Sequence, residues 1–265
     1  MFFVVTRKKL LSITTIILLI IALTSIFCSG TINTTASPTA KRKVPIYQVK
    51  TEEKKVAITF DAAWGADKTE KIMQLLQQYN AGGTFFLVGF WVDKYPDLVK
   101  EIDKNGFDIG NHSKNHLNMP KLSTDKINEE IAYVNDAVNK LTNKKPKFFR
   151  APFGDYNNSV IEEVEKNGNI PIQWSVDSLD WKGIEAREIA NRVLKNVKNG
   201  SIILCHNNSD HILEALPIIL LELQNKGYKM VNLSELVYKD NYIIDNNGIQ
   251  IQNGGTNGLR TNEQQ

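Results

Sequence analysis

Apolar residues along this chain gather in two alternating kinds of run. Short unbroken stretches, rich in β-branched and aromatic residues, occupy 56–60, 84–88, 107–110, 147–149, 170–176, 201–205 and 228–231. Stretches of that length and composition predict strands buried on both faces. Between them the apolar positions recur at helical spacing. Ile72, Leu75, Leu76 and Tyr79 share one face of a helix expected over 68–79. Ile127, Ile131, Val134 and Val138 form the stripe of a longer helix over 123–141, which Ser123 can cap and Lys144-Lys145-Pro146 ends. Pro96 opens a helix at 97–104 that stops at Asn105-Gly106. Further helices are expected near 159–166, over 185–198 and 212–225, with a short one at Ser234. About seven βα units in roughly 190 residues predict an α/β fold, a distorted (β/α)7-type barrel in one domain. A doubly wound open sheet is the alternative, but no glycine-rich phosphate loop follows the first strand.

The two ends of the chain read differently. Arg7-Lys8-Lys9 precede an apolar run over 10–27, broken only by serines and threonines. A basic flank and a run of that length read as a signal peptide or signal anchor over 1–28, with the uncleaved anchor preferred. Either way the rest of the chain is expected outside the cytoplasm. Residues 29–43 read as a linker, 44–239 as the folded domain, and the Asn- and Gly-rich 240–265 as a disordered tail. A net charge of +3 carries no nucleic-acid footprint, and a monomer is expected. Of the two cysteines, Cys28 falls in the apolar segment and Cys205 in an expected strand, so the domain has no internal disulfide.

Chemistry collects where the expected strands end. The first stops at Asp61, which alone could be a helix cap. The third runs into His112 and His116, the fourth into Arg150, the fifth into Asp177, Asp180 and Trp181, and the sixth into His206. Five strands with ionisable ends on one face point to an active site. His112 and His116 would face one way, and could share a metal ion, if the chain turned helically there. His211 reads as a surface residue, and Cys205 as a buried strand residue rather than a nucleophile.

These motifs, in this order, resemble polysaccharide deacetylases of the NodB-homology type, carbohydrate esterase family 4. The resemblance runs from about residue 50 to 237 through Thr59-Phe60-Asp61, His112 with His116, Arg150-Ala151-Pro152-Phe153-Gly154, Asp177 with Asp180-Trp181, and Leu204 with His206. It implies removal of acetyl groups from N-acetylglucosamine or N-acetylmuramic acid in cell-wall glycan, such as peptidoglycan. The form Asp61-Ala62-Ala63-Trp64-Gly65, behind an anchor, is similar to the sporulation-associated branch. By resemblance Asp61 is the general base, Arg150 its partner, His206 the general acid and Asp180 its orienting carboxylate. A backbone N–H near Phe153 would hold the oxyanion, and Trp181 with Leu204 would line the acetyl pocket. His112 and His116 would bind a divalent metal, zinc foremost, with cobalt or manganese also suited.

One position departs from the family. Most members carry a second Asp after the catalytic acid as third metal ligand, where this chain has Ala62. Asp67 could swing in, Asp61 could itself ligate, or the metal could be weak or absent. The last outcome leaves a glycan-binding relic as the alternative to an enzyme.

Overall fold

The computed structural model describes residues 7–28 and 42–253. The chain divides into two units, 1–41 and 42–265. In the first, α1 (Arg7–Cys28) is one helix of 22 residues. Leu11 and the residues 16–21 expose more than half of their surface. The side chains at 10, 13 and 22–28 lie outside the described residues, and among the described residues no helix is long and apolar enough to cross a membrane. The expected linker also lies outside them as far as residue 41.

The second unit opens with β1 (Gln48–Val49) and β2 (Lys55–Ala62). There follow α2 (Thr69–Gln78), β3 (Thr84–Leu87), α3 (Gly89–Lys94), α4 (Pro96–Lys104) and β4 (Asp108–Asn111). The longest helix, α5 (Thr124–Thr142), is capped by Ser123, whose side chain accepts from the Lys126 N–H, and it ends at Asn143 in the left-handed region. Next come β5 (Phe148–Phe149), α6 (Asn158–Lys166), β6 (Ile170–Pro171), β7 (Val176–Asp177), α7 (Ala186–Asn196), β8 (Ile202–His206) and α8 (Ile212–Asn225). The unit finishes with β9 (Lys229–Met230), α9 (Leu233–Leu236), β10 (Tyr242–Ile244) and β11 (Ile249–Gln252).

The main sheet is parallel in the order β6-β5-β4-β3-β2-β8-β7, with β9 beside the start of β2. Its central strand β2 is buried over seven of its eight residues, as the unbroken apolar run requires. The stretch expected as one strand over 170–176 is split. Its start pairs with β5 and its end with β8, so one segment forms both margins of the sheet and curls it into a distorted half-barrel. The helices pack their apolar stripes outside it, Ile72 and Leu76 from α2 and Leu216, Ile219 and Leu220 from α8 in the largest core.

One boundary differs from expectation. The segment 240–252, expected as disordered tail, forms β10 and β11, which pair antiparallel, and β11 runs parallel to β1. Asp245 builds the turn between them by accepting from the backbone of Asn247 and Ile249. Gln250 is fully buried there, its side chain bonded to both the N–H and the carbonyl of Tyr238. Residues 254–265 of the expected tail lie outside the described residues.

Candidate active site

Asp61 lies inside β2, and the register of the sheet selects its neighbours. It stands level with Phe86 on β3 and with His206 on β8, so acid and imidazole share one face. Arg150, just past β5, is fully buried. Its Nη1 donates to Asp61 Oδ1 (2.6 Å), and its Nη2 to Thr59 Oγ1 (2.9 Å) and the Gln173 carbonyl (3.2 Å). The planar guanidinium also lies against the Phe86 ring, 4.1 Å from its centroid. Burial raises the Asp61 pKa, but the charge and hydrogen bond of Arg150, with the charge of His206, outweigh it and hold the group below its ordinary 3.8. Asp61 is a buried, paired anion, not a helix cap.

His206 is fixed from two sides by one carboxylate. Its Nδ1 donates to Asp180 Oδ1 (2.8 Å), and its backbone N–H to Asp180 Oδ2 (2.7 Å). Asp180 itself is buried in a tight turn, where the Ser209 hydroxyl donates to its carbonyl. Burial lowers the His206 pKa, yet the Asp180 bond and charge overcome it and raise the imidazole above 6.5. The neighbouring Cys205 is buried, and desolvation pushes its thiol well up, which removes it as a nucleophile. His211 stands apart, facing Glu214 across 3.4 Å.

The two remaining histidines meet without the helical turn expected for them. Residues 112–116 form an irregular loop in which Ser113 and His116 take left-handed backbone angles. The loop is tied down by polar groups from α5 and β4. The fully buried Glu130 accepts from Asn115 N (2.7 Å) and Nδ2 (2.6 Å), and Asn111 Oδ1 accepts from Ser113 N. The two imidazoles come to 5.0 Å between centroids. His112 Nδ1 lies 2.7 Å from the Arg150 carbonyl, which can only accept, so the proton sits on Nδ1. Its Nε2 lone pair then faces Asp61 Oδ2 across 3.5 Å. Desolvation lowers both imidazoles, His116 to about 4, so each is neutral at physiological pH.

Asp61, His112, His116 and His206 line a cavity of about 560 Å³. Phe153, Trp181 and Leu204 line it, with Trp64, Trp174, Asp177 and Asn208 in addition. Phe153 sits at φ 61°, its ring over His116. The last group was partly within reach of sequence: Trp64 lies three residues beyond Asp61. Glu130 carried only a weak signal, a carboxylate three residues after Ile127 on the apolar side of its helix.

A divalent metal does not find a full set of donors. His112 and His116 offer two neutral imidazoles. Ala62 is fully buried in the apolar core. Asp67, proposed from sequence as a substitute ligand, is exposed and does not line the cavity. Its carboxylate lies over Gly65, where a methyl group would come to 3.3 Å from Oδ1. Among the described residues no three His, Cys, Asp or Glu side chains converge as metal ligands. The arrangement falls short of the three protein ligands of a catalytic zinc site.

Comparison with known proteins identifies the family. The polysaccharide deacetylase family model matches residues 48–171. A peptidoglycan-N-acetylglucosamine deacetylase of Bacillus cereus is 38% identical over 196 residues, which cover 72% of this chain and 92% of that protein. The chain belongs to the polysaccharide deacetylase family. The YlxY protein of Bacillus subtilis is 35% identical over 193 residues, and the match spans 73% of this chain but only 60% of YlxY. Among solved structures, a carbohydrate esterase family 4 pseudoenzyme from Bacillus anthracis superposes with a TM-score of 0.71 at 33% identity, covering 73% of this chain and 68% of that one. The family thus includes both deacetylases and a protein described as a pseudoenzyme.

Proposed function

We propose that this chain hydrolyses N-acetyl groups from cell-wall glycan of the peptidoglycan type, with N-acetylglucosamine or N-acetylmuramic acid as the reacting unit. The observation that carries the reading is a matched pair of charges on adjacent strands: an anion held by Arg150 and an imidazolium held by Asp180. A water beside Asp61 Oδ2 and His112 Nε2 can donate to both of these acceptors, which otherwise face each other across 3.5 Å. Asp61 takes its proton as the oxygen bonds to the acetamide carbon. The backbone N–H of Phe153 holds the oxyanion. His206 gives its proton to the sugar nitrogen as the C–N bond breaks, releasing acetate and a free amine. Trp181 and Leu204 receive the acetyl methyl.

No step is assigned to a metal, because two imidazoles make an incomplete site. The N-terminal segment, basic and then apolar, supports a location outside the cytoplasm, tethered to the membrane or released to the wall. The Asp61-Ala62-Ala63-Trp64-Gly65 form supports a role in sporulation.

A second reading is favoured by Ala62: the same cavity binds glycan without cleaving it. Titrating the full chain with N-acetylglucosamine oligomers while measuring acetate separates the two. Release that follows binding supports the hydrolase; saturable binding with no release under zinc, cobalt or manganese supports the binder.

A further inference from the structure

We infer that the end of the half-barrel opposite the reaction cavity is a docking trough for an anionic polymer of phosphodiester-linked polyol units. This goes beyond the glycan reading and does not depend on it. The strands of the main sheet are parallel, so Asp61 and His206 sit near their C-terminal ends and the strand starts form the other end. Two hollows lie there, of about 360 and 260 Å³. They share Lys147, Phe148 and Ser234, and so make one trough past the starts of β4, β5 and β6. Lys145 and Lys147 line the first hollow, and Lys147 and Lys239 the second.

These three lysines are exposed, and none forms an ion pair among the described residues. The carboxylates of the trough are already engaged. Asp103 meets Lys144 Nζ (2.7 Å), and Asp108 accepts from Ser234 N (2.7 Å) and Oγ (2.9 Å). Lysines beyond helix ends often serve only to answer the last carbonyls. Lys226 and Lys54 do so at this end of the barrel, donating to the Leu194 and Lys226 carbonyls. Lys145, Lys147 and Lys239 make no such bond. Their backbone is nevertheless fixed. The carbonyl of buried Pro146 accepts from Asn169 Nδ2 (2.7 Å), and that of Lys147 from Ile170 N (2.8 Å). Tyr238, beside Lys239, is held through its N–H, carbonyl and hydroxyl by Gln250 and Lys50. A concave surface rimmed by unanswered ammonium groups concentrates anions. The floor between the rims is apolar, with Phe148 and Val237 buried and Ile170 half-buried. A chain of phosphates joined by short carbon links matches both features, whereas a flat bilayer does not enter a trough. The reaction cavity stays free while the polymer is held.

The test is calorimetric binding of poly(glycerol phosphate), and of the glycerol phosphate monomer, to the full chain in neutral detergent at several salt concentrations. Wild type is expected to bind the polymer in preference to the monomer, with an affinity that falls as salt rises. The triple variant Lys145→Gln, Lys147→Gln, Lys239→Gln should bind roughly ten-fold more weakly, with the slope of log K against log salt reduced by about two. A control triple variant, Lys71→Gln, Lys94→Gln, Lys121→Gln, loses the same charge at exposed positions outside the trough and should keep affinity within about two-fold of wild type. All six side chains are exposed, and circular dichroism checks that both variants fold. Equal losses in the two variants overturn the trough, as do absence of polymer binding and equal affinity for monomer and polymer. A preference for phosphatidylglycerol over phosphatidylcholine vesicles that the first variant loses, with no polymer bound by wild type, gives these lysines to a lipid surface and also overturns it. Acetate release does not enter the measurement, so failure of the hydrolase reading leaves the trough standing.

Discussion

Two residue pairs set the electrostatics of this cavity, and each can be tested separately. Arg150 is buried with Asp61 and bonds to three oxygens. Removing it strands a buried carboxylate, so Arg150→Met should destabilise the fold by about 3–5 kcal/mol in urea unfolding. Asp180 acts on the proton of His206. In the intact chain the raised imidazole pKa keeps His206 charged at and somewhat above pH 6.5, and the acid is lost as pH rises through that value. Asp180→Asn removes the charge while burial continues to disfavour imidazolium, so the alkaline limb of kcat/KM should move to lower pH. A pH–rate profile checks this, and an unmoved limb would remove Asp180 from that role. The members of these pairs were legible in sequence because each ends a strand or follows one closely, whereas their pairing came only from the family resemblance. Ala62 was legible as an exception, whereas the position of Asp67 was not, since loop direction leaves no periodic trace.

At the scale of elements, legibility followed the range of the interaction. Helix α5 announces itself through its own spacing and its Ser123 cap, which are local. The pairing of β11 with β1 joins residues about two hundred positions apart, and polar composition around Ile243, Ile249 and Ile251 hides it. The split of the 170–176 stretch is equally invisible, because its two halves serve opposite edges of one sheet. A separate junction, where the chain enters β8 beside β1 and β2, depends on Gly200, at φ 74°. Its N–H donates to the Lys55 carbonyl, and its own carbonyl accepts from Val49. A Cβ there would come to 1.8 Å from the Val49 oxygen. Gly200→Ala should therefore cost about 2 kcal/mol or more, read as a lowered midpoint in urea. The histidine loop shows the same dependence on distant groups, since Glu130 on α5 shapes it through Asn115.

At the scale of the whole molecule, the first unit is an apolar helix, and the second, by itself, is a half-barrel with an open cavity. The exposed apolar surface of α1 supports partition into lipid, and the full chain should sediment with phospholipid vesicles while a chain starting at residue 42 remains in solution. As proposed above, the half-barrel is a hydrolase whose base is Asp61, although its pair of imidazoles lacks a third metal ligand. The most direct measurement is acetate release from N-acetylglucosamine oligomers by the full chain and by Asp61→Asn, compared at equal ligand saturation. The account predicts measurable release by the wild type and a fall of at least about 100-fold in the variant with binding retained. Equal rates for the two chains, or no release from a wild type that binds the oligomer, would contradict it.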